Sequence, residues 1–200
     1  GDPSSAAFFL VAALVVPGSE LVIENVGLNP TRAGLITVLR AMGGSIEELN
    51  SREVGGEPVA DLLVRHSALR GVDIDPAIAP SMIDEFPALF VAASVAEGRT
   101  VTSGLDELRV KESDRLAVMA SALTGAGARV EEREDGQVID GSAGEPLEGG
   151  GPSQVPAKVF RLLLPGDDSA RWQDVAAALG TGSAQIVDAR PADRFRGDAP

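Results

Sequence analysis

The chain has no cysteine and no tyrosine, one histidine, one tryptophan, and only two lysines among its 17 basic residues. Each scarcity removes a class of chemistry. Without cysteine there is no disulfide, no thiolate metal site and no thiol nucleophile. A lone histidine, His66, cannot build a metal cluster. It lies in the strand-like run Leu62-Leu63-Val64-Arg65-His66 and reads as a strand-edge residue. No metal and no other cofactor is expected. Basic residues are outnumbered by 30 carboxylates, for a formal net charge of −13, which argues against nucleic acid and anionic membrane as partners. The apolar run Ala6 to Val16 is too short to span a bilayer, and no basic segment precedes it as in a signal peptide. A cytoplasmic location is therefore expected. The sequence opens on Gly1 inside what reads as a motif, as a piece of a longer protein would.

What is present is a repeat. Phe8 to Val16 is an apolar helical run closed by Pro17-Gly18, followed by a strand at Glu20 to Asn25, a helix at Leu35 to Met42 and a strand at Ser45 to Leu49. A second copy has a helix at Ala88 to Ala96, a strand at Thr100 to Ser103, a helix at Glu112 to Leu123 and a strand at Ala128 to Glu132. Gly18 and Gly98 are 80 residues apart, and Gly43 and Gly127 are 84 apart, which puts extra residues near the charged stretch of the second copy. Further strands are expected at Asp61 to His66, Leu69 to Ile74 and Gln137 to Asp140. After Ile139 the composition turns to Gly, Pro, Ser and Glu, as in a linker. Beyond it come a short helix at Trp172 to Leu179 and a buried-type strand at Gln185 to Ala189. The fold class is α/β, in the α+β sense.

The stretch with the most chemistry is Arg109-Val110-Lys111-Glu112-Ser113-Asp114-Arg115. If it is the start of a helix, Lys111 and Arg115 share a face, and the helix N-terminus adds positive potential. Glu112 supplies a carboxylate beside them. Cations that hold a small polyanion, next to an acid that moves a proton, make a site for an anionic substrate. A solvated charged helix start is the bland reading. Three other motifs accompany it. Gly1-Asp2-Pro3-Ser4-Ser5-Ala6 can cradle a phosphate at a helix N-terminus, Asn29-Pro30-Thr31-Arg32 places an arginine before the next helix, and Ser81-Met82-Ile83-Asp84-Glu85-Phe86-Pro87 sets two carboxylates before another.

Together, in this order and spacing, the four motifs resemble the 3-phosphoshikimate 1-carboxyvinyltransferase (EPSP synthase) family, nearest its bacterial glyphosate-insensitive branch, over about Gly1 to Gly150. The resemblance implies a fold of two similar domains, each of three βαβαββ units, with substrates in the cleft between them. It implies that residues 1–67 are the last unit of the first domain and 68–140 the start of the second, so that the enolpyruvyl transferase fold is incomplete. Residues 141–156 read as a linker. The implied reaction moves the enolpyruvyl group of phosphoenolpyruvate onto the 5-hydroxyl of shikimate 3-phosphate and releases phosphate. By the same resemblance Ser4, Ser5 and Ala6 (through its backbone) contact shikimate 3-phosphate, with Arg32 nearby. Asp84 contacts the attacking hydroxyl as a base, Glu112 handles the proton, and Lys111 and Arg115 clamp phosphoenolpyruvate.

The family's upstream Lys-Ser segment and downstream Asp-His-Arg motif do not occur where they are expected, so the isolated piece is expected to be inactive. Residues 157–200 resemble the start of a rhodanese (sulfurtransferase) domain, through Gln185-Ile186-Val187-Asp188-Ala189-Arg190 and Phe195-Arg196-Gly197. That resemblance stops before any cysteine loop. Two alternatives stand beside the main reading: a non-catalytic fusion fragment, and the sister transferase acting on UDP-N-acetylglucosamine, which typically uses a loop cysteine. The sequence is silent on oligomeric state.

Overall fold

The computed structural model describes residues 1–111, 113–145, 147 and, as backbone, 185–188. Two helices form its centre. Helix α1 (Pro3–Val15) starts where Asp2 accepts a hydrogen bond from the Ser5 N–H and Pro3 takes the first turn, a position that needs no N–H donor. Helix α3 (Phe86–Val95) has Pro87 in its own first turn. Both are apolar on nearly every face, so both are buried and pack on each other: Leu10, Leu14, Leu89 and Phe90 are 1% exposed or less. Phe86 and Phe90, one helical turn apart, hold their rings 5.8 Å apart at a tilt of 45°.

Two similar sets of elements surround this pair. The first has strand β1 (Glu20–Gly27), helix α2 (Gly34–Ala41) and a hairpin of β2 (Ser45–Val54) and β3 (Glu57–Arg65). The second has β4 (Arg99–Val101), helix α4 (Arg115–Gly125) and a hairpin of β5 (Arg129–Arg133) and β6 (Gly136–Asp140). The first sheet runs β2-β3-β1-β7, with β7 (Gln185–Asp188) parallel to β1 and the other pairs antiparallel. The second runs β5-β6-β4, all antiparallel.

Several boundaries differ from those expected. The β2–β3 hairpin is longer, because Gly55 and Gly56 (φ +63° and +85°) form a two-residue turn between Val54 and its partner Glu57. Two successive positive φ values suit a turn whose twist matches its strands. Leu69 to Ile74 is extended, as expected, but is no regular strand. It runs parallel to β4 through bridges at Arg70–Glu97 and Asp73–Val101, with Gly71 N to Glu97 O at 2.8 Å and Ile74 N to Val101 O at 2.9 Å. Helix α4 begins at Arg115 rather than Glu112. The extra residues of the second copy fall largely in α4, which has 11 residues against 8 in α2.

One buried acid supports two irregularities of the first sheet. Register shifts occur in β1 near Asn25 and in β2 near Asn50, both at positive φ. Asp61, 9% exposed, accepts from Asn25 N and from Asn50 Nδ2, each at 2.9 Å, and pairs with Arg52 at 3.2 Å. The Asn25 N–H and the Asn50 amide hold its carboxyl below the usual range, with Arg52 adding to them against the cost of burial.

Candidate active site

The N-terminal ends of α1 and α3 meet, and the candidate residues gather along that seam. The phosphate cradle expected at the start of α1 is filled by the chain's own carboxylate. Asp2 accepts from Ser5 N and from Ser5 Oγ, each at 3.0 Å, and pairs with Arg32 Nη2 at 3.1 Å. The Ala6 N–H donates to the Asp2 carbonyl at 3.2 Å. Ser4 points elsewhere: its hydroxyl donates to Glu85 Oε1 and accepts from Arg32 Nη2 at 3.3 Å. The expected phosphate contact of Ser4, Ser5 and Ala6 is therefore not formed by free donors. A carboxylate at a helix N-terminus satisfies the same N–H groups a phosphate would.

Glu85 is the member the sequence reading left out. It is 7% exposed, in the 3₁₀ turn Ile83–Glu85 that leads into α3. Its only signal in sequence was being the second acid of a pair. Burial raises its carboxyl above the ordinary range; the Ser4 hydroxyl and the Arg32 charge oppose that shift, and the Asp84 charge adds to it. The raised value means the folded state holds this proton more tightly than the unfolded state does. Its contribution to stability is thus full below the ordinary carboxyl range and is lost as pH rises through the raised value. Glu85→Gln, which can still accept from Ser4, should therefore gain stability relative to the native chain as pH rises. Urea unfolding of both proteins at pH 4 and pH 8 measures this, and an equal difference at the two pH values would rule it out.

Asp84 faces the other way, with its side chain 56% exposed. Its Oδ1 lies 3.1 Å from Arg115 Nη1 and 3.9 Å from Lys111 Nζ. Lys111 also pairs with Glu107 at 2.6 Å, and that contact first, then the charges of Glu107 and Asp84, raises its pKa above the ordinary lysine range. Lys111 therefore stays charged through the neutral range. Arg32, Lys111 and Arg115 thus lie about the Asp84–Glu85 pair: Arg32 on the Ser4 side, the other two on Asp84. Lys111 and Arg115 do not share a helix face, because Lys111 precedes α4; the backbone turn before Arg115 brings them together. Glu112 lies outside the described residues.

Arg109 holds this turn in place. Its guanidinium donates to Asp114 Oδ2 at 2.9 Å, to Glu132 Oε1 at 2.8 Å, and to the carbonyls of Arg133 and Glu134 at the end of β5. Asp114 in turn caps α4, accepting from Ala117 N at 3.0 Å; this bond first, then Arg109, lowers its carboxyl below the usual range. Among the described residues no group of His, Cys, Asp or Glu could hold a metal ion, and no helix is long and apolar enough to cross a membrane.

Solved structures place this arrangement in a class. The chain superposes on an EPSP synthase from Acinetobacter baumannii with a TM-score of 0.70 and 39% identity, over 81% of this chain and 38% of that one. It also matches the fold of the enolpyruvyl transferase NikO from Streptomyces tendae, with a TM-score of 0.51 at 17% identity, over 91% of this chain and 43% of that one. The fold is that of the enolpyruvyl transferases.

The family model of EPSP synthase (3-phosphoshikimate 1-carboxyvinyltransferase) matches residues 1–151, and the chain belongs to that family. It is 75% identical over 150 residues to the 3-phosphoshikimate 1-carboxyvinyltransferase of Sphingopyxis alaskensis, covering 75% of this chain and 34% of that protein. With the Syntrophotalea carbinolica protein of the same name it shares 56% identity over 179 residues, or 90% of this chain and 39% of that protein, so this match reaches past residue 151. The chain spans about a third of the length of the first curated relatives it matches. The rhodanese-like reading of 157–200 gains no support from these matches. Apart from β7, that stretch lies outside the described residues.

Proposed function

We propose that this chain carries the central part of an enolpyruvyl transferase active centre, one that joins phosphoenolpyruvate to the 5-hydroxyl of shikimate 3-phosphate and releases phosphate. The observation that carries the reading is the Asp84 carboxylate set beside Arg115 and Lys111. In the reaction C2 of phosphoenolpyruvate gains the 5-hydroxyl oxygen of shikimate 3-phosphate while C3 gains a proton. Phosphate then leaves as that proton is removed. Asp84 is the group placed to accept the hydroxyl proton, and the two cations hold the carboxylate and phosphate of phosphoenolpyruvate. The family role of Glu112, moving the proton at C3, completes the scheme.

Arg32 is kept as the cation facing shikimate 3-phosphate. The Ser4, Ser5 and Ala6 contacts are not carried forward, since Asp2 and Glu85 hold those donors. The two stretches 1–67 and 68–140 share one core through α1 and α3, so they are read as neighbouring units of one domain of the longer enzyme, working in the cytoplasm.

The isolated chain should bind without turning over. Calorimetry with phosphoenolpyruvate is expected to give weak, saturable binding. A phosphate-release assay with both substrates should stay at background, because clamp residues act together and much of the enzyme lies beyond a piece of this length. Absence of any binding would remove the proposal, and sustained phosphate release would refute the expected inactivity.

A further inference from the structure

The two sheets have one plan. In each, a buried helix is followed by a strand, a second helix and an antiparallel hairpin, so β2-β3-β1 corresponds to β5-β6-β4. Both middle positions are held by the last strand of the hairpin. On the far side of β4 lies Leu69 to Ile74, parallel to it and bonded through Glu97, Val101 and Val72 backbone groups. This segment leads on through the 3₁₀ turns into α3. On the far side of β1 lies β7, also parallel, with Leu21, Val22, Ile23 and Glu24 beside Gln185, Ile186, Val187 and Asp188. The matching place in the first set is thus held by a strand from the other end of the sequence.

We propose that the outer edge of β1 is an acceptor for one parallel strand, and that residues 185–188 fill it as Leu69 to Ile74 fills the edge of β4. An edge strand presents unpaired N–H and C=O groups, which are costly to leave unmatched beside a core. Adding an extended segment satisfies them through the main chain, as in donor-strand recognition. The edge belongs to the core: Leu21 and Ile23 are 1% exposed or less. The segment suits the task, with β-branched Ile186 and Val187 and neither Gly nor Pro between 185 and 188. Being tethered to the same chain, it acts at a high effective concentration. This inference does not depend on the enzymatic reading.

Hydrogen exchange tests it. In Val187→Pro, which removes a donor and disfavours a paired strand, amides within Glu20 to Glu24 should exchange at least about tenfold faster. Those of Arg99 to Val101 should not change. Unchanged protection over Glu20 to Glu24 overturns the proposal. A second variant guards against general unfolding. The chain has no cysteine, so Val22→Cys with Ile186→Cys carries the only two thiols. Adjacent strands lie within disulfide reach, and oxidation should give an intramolecular bond in the monomer. The pair Glu48→Cys with Ile186→Cys, across the sheet, should not close. Failure of the first pair to close, or closure only between chains, overturns the proposal.

Discussion

Alanine at Gly141 should destabilise the protein by about 3 kcal/mol, the upper part of the range for overpacked sites. The residue follows β6 and passes under the end of α3. A Cβ there would stand 2.0 Å from the Ala96 carbonyl oxygen and 2.6 Å from that of Ala93. Both obstacles are backbone, so no side-chain rotation relieves the clash. The close approach has a purpose. From Gly141 onward the chain lines up with the last turn of α3: Ser142 N donates to Ser94 O at 3.0 Å, Ala143 N to Ala96 O at 3.0 Å and Gly144 N to Val95 O at 2.8 Å. These carbonyls have no partner inside the helix, and a buried helix end without partners is costly. Alanine at Gly141 would push the whole cap away. Thermal or urea unfolding measures the loss, and Gly125→Ala, where a Cβ meets nothing within 4 Å, serves as the control.

The second large effect concerns charge. Replacing both Lys111 and Arg115 by alanine should weaken phosphoenolpyruvate binding by on the order of a hundredfold or more, since charge-assisted hydrogen bonds are about twice as strong as neutral ones. Arg70→Ala, an exposed cation paired only loosely with Glu97 at 3.8 Å, should leave binding unchanged. Asp84→Asn gives the opposite sign. Without ligand, Asp84 occupies Arg115 at 3.1 Å and competes with an incoming anion. Removing its charge should tighten phosphoenolpyruvate binding, even though the proposed base for the attacking hydroxyl is lost. Calorimetry on the three variants decides the matter. If the double variant binds as the native chain does, the ligand is held elsewhere.

Much of the fold was legible because local signals and burial agreed. The apolar runs of α1 and α3 read as helices, with Pro17-Gly18 closing the first, and β6 and the start of β2 fell where strands were expected. Tertiary context decided the rest. Leu69 to Ile74 reads as a strand, yet its Gly71 lies against the Arg99 backbone, and only scattered bridges form. Of the residues that gather at the candidate site, the cations and Asp84 could be picked out in sequence, because their residue types are informative by themselves. It was not legible at Asp2 and Glu85. An aspartate at a helix cap and the second acid of a pair look solvated in sequence. Only the meeting of α1 with α3 reveals that one occupies the cradle and the other is buried against Ser4.

The grip of Arg109 on β5 has a consequence for the whole site. Four residues of that strand are exposed and only Val130 is partly covered, so β5 is free to vary at its surface. Yet its Glu132 side chain and the Arg133 carbonyl anchor the guanidinium that fixes the α4 cap, one residue before Arg115. A water-facing ribbon thus sets the position of Arg115, and mutations there should be felt at the proposed cationic clamp from a distance.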